Sequence, residues 1–166
     1  MAWRGSAKPS NAVGTLTADL VARALDWALA RRGDRSYAGR CLAFVEDAFE
    51  RANQIEVFGE KSAAEAADAF DLTPFDPADP PPAGALVFYA CGGPLDGLVR
   101  DWGHVGIALG DGPLVHAWDE VRVDAALEVP RLQPAAGWTA PRLIGWAAAA
   151  QLLRGHRPRI WDQPPT

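Results

Sequence analysis

Apolar residues in the first half of the chain recur every three or four positions, which is the period of an amphipathic helix. The first such segment predicts a helix over residues 17–31. Its buried stripe consists of Leu20, Val21, Ala24, Leu25 and Ala28. A second helix is predicted over residues 41–53. A third is predicted over residues 62–69, where Ser62 followed by Glu65 is a capping-box pattern.

The hydrophobic pattern changes after residues 72–82, which contain five prolines and are expected to form an extended loop. Short apolar runs then predict strands over residues 85–89, 104–109, 114–118, 121–123 and 141–147. Residues 110–113 form a tight turn, so the second and third of these strands are expected to pair as a hairpin. Helices followed by an antiparallel sheet predict an α+β fold, with the N-terminal helices packed on a central sheet.

The length of the chain, 166 residues, suits one domain with one hydrophobic core. Residues 1–14 are polar or small and are expected to form a loose tail. Residues 154–166 contain three prolines and are expected to be irregular. The folded domain is therefore expected to span residues 15–153.

Composition restricts the partners that this chain can bind. Hydrophobic residues make up 49% and charged residues 22%, as in ordinary globular domains. A net charge of -5 argues against sequence-independent binding to nucleic acid and against binding to an anionic membrane. No segment approaches the ~20 apolar residues of a membrane helix, and no Sec-type signal is visible. The chain is therefore expected to be cytoplasmic or exported by a leaderless route, and to bind neither nucleic acid nor membrane.

Cys41 stands where a loop becomes the second predicted helix. Unpaired N–H groups and the positive end of the helix dipole lie at such a position, and both favour the nucleophilic thiolate. The same N–H groups can hold a developing oxyanion. Cys41 is therefore a candidate nucleophile, although a lone cysteine is more often a small buried hydrophobe. Cys91 follows a strand in a turn, and both thiols are expected to be free.

Two histidines fall on the predicted hairpin. His104 begins one strand and is a candidate base, and His116 lies on the return strand. A two-residue turn at positions 111–112 sets the register. In that register His116 lies opposite Ile107, three positions from His104, on the order of 10 Å away at ~3.4 Å per residue. Direct contact between the two histidines then requires a twisted or bulged register.

The other polar residues near these candidates have ordinary interpretations. Asp101 and Asp119 are expected to be solvated at the surface. The alternation of polar and apolar residues over 120–124 is typical of a half-exposed strand. Cysteine and histidine are zinc ligands, but the close-paired spacings of common zinc sites are missing, so no metal and no cofactor is expected.

Four segments occur in a recognisable order: GRCLAFV at 39–45, PAGALVFY at 82–89, WGHVGIALGDG at 102–112 and LVHA at 114–117. Together they resemble the NlpC/P60 superfamily of papain-like cell-wall peptidases, which includes the CHAP amidases. The resemblance covers residues 16–146 and implies a papain-like NlpC/P60 fold. It implies a catalytic triad of Cys41 as nucleophile, His104 as base and His116 as the residue that orients the base.

The sequence departs from the family pattern around the cysteine. Arg40 stands where an Asp is usual, and residues 42–43 replace the usual Ser-Gly, so the Gly-Arg-Cys form is closer to the Gly-Gln-Cys opening of CHAP domains. The resemblance also implies a hydrogen bond from Tyr37 near the thiolate, although Tyr37 lies closer to the cysteine than the corresponding tyrosine usually does. Trp102 and Trp118 flank the histidines and are expected to wall a substrate cleft.

The resemblance implies a cysteine hydrolase that cleaves an amide bond in a peptidoglycan stem peptide, commonly beside a D-amino acid. Two alternatives remain open. The first is another reaction on the same fold, namely acyl transfer, transpeptidation or cleavage of a non-wall amide. The second is a binding module that has lost its activity.

Overall fold

The computed structural model describes residues 9–161. Its helices are α1 (Pro9–Leu29), α2 (Cys41–Asn53), α3 (Ala63–Ala69) and α4 (Ala149–Leu152). Its strands are β1 (Ile55–Glu56), β2 (Leu86–Ala90), β3 (Gly92–Leu95), β4 (Leu98–Asp101), β5 (His104–Ala108), β6 (Pro113–Ala117), β7 (Val121–Ala125), β8 (Arg142–Ala147) and β9 (Arg157–Pro158). Within this part of the chain, no helix combines the length and the hydropathy needed to cross a bilayer.

Five strands form one antiparallel sheet in the order β7-β6-β5-β2-β8. The predicted α+β class and the five predicted strands are confirmed, with strand ends that differ by one or two residues. The three predicted helices are also present. The short apolar runs predicted the strands correctly because each face of the sheet packs against a hydrophobic core. Successive side chains of a strand point to opposite faces, so most residues of a strand are apolar.

The helices pack on one face of the sheet, with α2 against β5 and β6 and with α1 against α2. Phe44 and Phe49 of α2 are fully buried there, beneath Phe88 and Val105 of the sheet. Burying each such side chain contributes roughly 1.5–3 kcal/mol. This packing fixes the beginning of α2, and hence Cys41, against the start of β5.

The opposite face of the sheet carries a second, smaller core. It contains Val87, Tyr89, Ala108, Leu114 and Val129. The hydroxyl of Tyr89 donates to the carbonyl oxygen of Ala126 at 2.6 Å, which closes this layer over the strands. His104 and His116 lie on this side of the alternation, since Val105 and Val115 face the helices.

The structure corrects part of each predicted tail, at residues 9–14 and at residues 157–158. The prediction of a loose segment is wrong for residues 9–14, because α1 begins at Pro9, and proline is well suited to a first helical turn. The prediction of an irregular end is corrected at residues 157–158, which form β9 and pair with β1. The indole Nε1 of Trp161 then donates to the carbonyl oxygen of Ile55 at 2.7 Å. Residues 1–8 and 162–166 of the two predicted tails lie outside the described residues.

A hairpin that the sequence analysis did not predict is formed by β3 and β4. Its turn consists of Asp96 and Gly97, which both have positive φ, 49° and 77°. An Asp-Gly pair between two apolar residues is among the strongest hairpin signals. The hairpin follows Cys91 directly and ends just before Trp102, so it forms one wall of the cleft described next.

Candidate active site

A cleft of about 690 Å³ opens where the beginnings of α2 and α3 meet the start of β5. Cys41 and His104 both line it. The β3–β4 hairpin and residues of the 133–138 segment complete its walls. The structure therefore brings the predicted nucleophile and the predicted base to one cavity, although they come from different layers of the fold.

Cys41 is the first residue of α2 and is half-buried. Arg40 occupies the N-cap position, and no side chain caps this end of the helix. The first N–H groups of α2 are thus available to a ligand in the cleft. Within residues 9–161, no hydrogen bond joins the Cys41 thiol to His104, a contact that often tightens only when substrate binds.

The pKa of Cys41 is shifted opposite to the direction expected from its position. Burial raises the pKa of the thiol to about 11, and hydrogen bonds with the backbone of Val105 and Leu42 oppose this rise without reversing it. The helix start was expected to favour the thiolate, but removal from water is the larger effect. Burial therefore favours the neutral thiol of Cys41 in the free protein.

His104 begins β5 and is buried, with 4% of its surface exposed. Its Nε2 lies 2.7 Å from Nδ1 of His116, a hydrogen bond between two buried imidazoles. The ring of Trp118 stands edge-on to that of His104, with centroids 5.1 Å apart. Burial, and then the neighbouring His116, hold the pKa of His104 well below its usual value, which favours the neutral imidazole.

The direct contact between the histidines follows from a turn that is one residue longer than predicted. The N–H of Leu109 donates to the carbonyl oxygen of Pro113 at 2.9 Å, so residues 110–112 form a three-residue connection. Gly110 and Gly112 supply its positive φ values, 106° and 117°. Ile107 therefore pairs with Val115 instead of His116. His116 falls across from Gly106, on the face that carries His104.

Because Gly106 has no side chain, there is room for His116 on the neighbouring strand. A Cβ at position 106 would come within 2.9 Å of Cβ of His116 and within 3.0 Å of the carbonyl oxygen of Val115, and would also clash with the side chain of Leu114. Gly106→Ala is therefore expected to destabilise the fold by about 1–3 kcal/mol, as overpacking does. Chemical denaturation would measure the change. Gly14→Ala is the control, because space around position 14 is open, and equal stability losses in both variants would contradict this explanation.

His116 is fully buried, and its second ring nitrogen contacts Asp124, which lies in the strand that was expected to be an ordinary half-exposed one. Its Nε2 lies 2.8 Å from Oδ2 of Asp124. Arg122 donates to the same carboxylate from Nε at 2.6 Å and from Nη2 at 3.2 Å. The alternation over 120–124 did place Arg122 and Asp124 on one face, but only the pairing of His116 with Arg122 shows what that face contacts.

Tyr37 does not form the predicted contact with Cys41. Its hydroxyl donates to Oδ2 of Asp47 at 2.6 Å, and its ring packs against Phe44. Burial and then Asp47 raise the pKa of Tyr37 to about 12. Tyr37 is not among the residues that line the cleft, and its contacts join the loop before α2 to that helix.

The tryptophans form the walls that were predicted, with one addition. Trp102 donates from Nε1 to the carbonyl oxygen of Gly93 at 3.0 Å, and Trp118 donates to that of Gln133 at 3.1 Å. Trp138 also lines the cleft. Its ring covers Gly93, where a Cβ would overlap the indole. The β3–β4 hairpin and the 133–138 segment thereby hold the indoles of Trp102 and Trp118 in place.

Cys91 lines the same cleft but is buried, with 4% of its surface exposed. Both cysteines are free thiols. Across residues 9–161, no group of three or more His, Cys, Asp and Glu side chains is arranged to hold a metal ion. No model of a known protein family matches this chain, and no curated protein matches it either.

Alkylation by iodoacetamide is expected to distinguish the two thiols. Cys41 should react faster than Cys91, because Cys41 is the more exposed. Since the pKa of Cys41 is raised to about 11, its thiolate fraction and its alkylation rate should rise about tenfold per pH unit between pH 6 and 9. Peptide mapping after timed labelling would measure both rates. A plateau below pH 7 would mean that a thiolate already exists in the free protein.

Proposed function

We propose that this protein is a papain-like cysteine hydrolase of the NlpC/P60 type, which cleaves an amide bond. The observation that carries the proposal is the shared cleft of Cys41 and His104, in which His116 holds the far side of the base. The order of helices before an antiparallel sheet, with the cysteine opening a helix, agrees with the sequence resemblance. A helix start beside a fixed imidazole is an arrangement suited to nucleophilic catalysis.

The first half of the proposed reaction forms an acyl-enzyme. Nδ1 of His104 takes the proton of Cys41, since Nε2 is engaged with His116, and the sulfur attacks the carbonyl carbon. N–H groups at the start of α2 hold the oxyanion. His104 then gives the proton to the leaving nitrogen as the C–N bond breaks. Because the pKa of the thiol is raised and that of the imidazole is lowered, proton transfer accompanies the attack instead of preceding it.

The second half releases the acid. His104 takes a proton from water, and the oxygen attacks the thioester carbon. The C–S bond breaks, and the sulfur recovers the proton from His104. Acid–base catalysis of this kind contributes roughly 10²–10⁴-fold, and a single oxyanion donor about 10²–10³-fold.

The proposed substrate is a peptidoglycan stem peptide. Arg40 and Lys61 line the cleft, as do Asp96 and Asp119, so the cleft offers positive charge to the carboxylates of such a peptide and negative charge to its amino groups. Trp102, Trp118 and Trp138 offer apolar surface to its methyl and methylene groups. The cleft thus has charged and apolar parts, as a peptide with both kinds of group requires.

Incubation with purified muropeptides, followed by mass spectrometry, tests this proposal. The expected result is two products whose masses sum to that of the substrate plus water. Products joined to an added amine would indicate acyl transfer or transpeptidation, and cleavage of other amides alone would indicate a non-wall amidase. Binding of muropeptides without any product would indicate the inactive binding module and would overturn the hydrolase.

A further inference from the structure

We propose that Asp124 and Arg122 are positioning residues that fix the tautomer of His116 and, through it, the tautomer of His104. This inference rests on the proposed function only for its catalytic consequence. The geometry itself comes from three side chains on β6 and β7 and one on β5. Neither residue touches the cleft, so each acts through the histidines.

The contacts form one continuous chain of hydrogen bonds. Oδ2 of Asp124 lies 2.6 Å from Nε of Arg122 and 2.8 Å from Nε2 of His116. Nδ1 of His116 lies 2.7 Å from Nε2 of His104. Arg122 is itself held by Asp119, whose Oδ1 accepts from Nη1 at 3.2 Å. The imidazole of His116 is fully buried, and the side chain of Asp124 is 16% exposed, so these contacts are sheltered from water.

The location of each proton follows from the acceptor at the end of the chain. Burial acts to raise the pKa of Asp124, but hydrogen bonds from Arg122 and His116 outweigh it, and the net pKa is lowered. An ionised carboxylate only accepts, so Nε2 of His116 carries a proton. Burial lowers the pKa of His116 despite the opposing hydrogen bond to Asp124, so the ring is neutral and its Nδ1 accepts. Nε2 of His104 must then donate.

The consequence for His104 is a free lone pair on Nδ1. A neutral imidazole with its proton on Nε2 has an unprotonated Nδ1, which is the atom that takes the proton of Cys41 in the proposed reaction. The other tautomer would present N–H to the thiol and could not act as a base. Asp124 therefore selects the competent form of His104 through the one imidazole between them, that of His116.

Nitrogen-15 NMR of the full chain tests the assignment directly, since imidazole nitrogens with and without a proton differ widely in chemical shift. The chain has three histidines. His156 serves as an internal reference, because its Nδ1 donates a hydrogen bond to the carbonyl oxygen of Leu153. The expected result is a proton on Nε2 of both His104 and His116. A proton on Nδ1 of His116 in the wild-type protein would overturn the proposal.

Two substitutions separate positioning from folding. Asp124→Ala removes the acceptor, and Asp124→Asn keeps its shape but offers both an acceptor and a donor. In both variants a measurable fraction of His116 should move its proton to Nδ1. Muropeptide hydrolysis should fall about 10- to 100-fold, which is the size of effect found when a residue that orients a metal-bound histidine is replaced. Asp111→Asn, the same charge change on the β5–β6 turn, should alter neither quantity. Melting temperatures of all three variants identify any that fail to fold.

The outcomes distinguish this inference from the proposed function. Unchanged tautomers in both Asp124 variants would overturn the inference, and so would shifted tautomers with unchanged hydrolysis. If the wild-type protein hydrolyses no amide while the tautomers respond to Asp124 as described, the proposed function fails and the structural assignment stands.

Discussion

Cys41→Ala is expected to lower amide hydrolysis by at least about 10⁴-fold, because the acyl-enzyme forms on its sulfur and residual catalysis then comes from binding and oxyanion contacts alone. Cys41→Ser should be nearly as inactive, since a neutral imidazole deprotonates a hydroxyl far less readily than a thiol. Product formation from muropeptides, followed by mass spectrometry over long incubation, would measure both rates.

Cys91→Ala is the matched control, because it removes the other thiol of the same cleft. Cys91 is buried, and its Sγ contacts the carbonyl oxygen of Thr139 at 3.6 Å, so its substitution should affect stability more than turnover. Hydrolysis within a few-fold of the wild-type rate is expected. If Cys91→Ala were inactive and Cys41→Ala active, the nucleophile would be Cys91, and the role given to the start of α2 would be wrong.

Much of the fold could be predicted because hydrophobic period and burial agree along most of the chain. The predicted stripe of α1 lies in the core, and the short apolar run that predicted β5 is buried along its whole length. The beginning of α2 at Cys41 was predicted to the residue, since Gly39 and the preceding polar loop end any earlier regularity. Asp96-Gly97 is a sequence signal for the β3–β4 hairpin as well, since both residues have positive φ in its turn.

The site was less predictable because its geometry depends on pairing between strands. One residue in the length of the β5–β6 turn decides whether His116 faces Ile107 or Gly106, and hence whether it reaches His104. The contact with Asp124 depends on a second register, that of β6 with β7. The raised pKa of Cys41 depends on how much water the assembled walls exclude, which no local sequence pattern specifies.

His104→Ala is expected to behave nearly like Cys41→Ala, because it removes both the base for the thiol and the acid for the leaving nitrogen. His116→Ala should leave measurable activity, since His116 only orients His104. The double variant should be little worse than His104→Ala, because residues that act as one unit are not additive. Steady-state rates of the three variants on one muropeptide would measure these differences.

The two amide replacements of His116 sharpen this test, because each keeps a different half of the imidazole. The amide of Asn branches at the same carbon as Nδ1 of histidine, so His116→Asn retains an acceptor near Nε2 of His104. The amide of Gln lies further out, near the position of Nε2, so His116→Gln retains the contact with Asp124 and loses the one with His104. His116→Asn is therefore expected to recover part of the activity lost in His116→Ala, and His116→Gln less. Recovery by Gln but not Asn would show that the contact with Asp124 matters more than the contact with the base. An inactive His116→Ala beside a merely impaired His104→Ala would reverse the two roles.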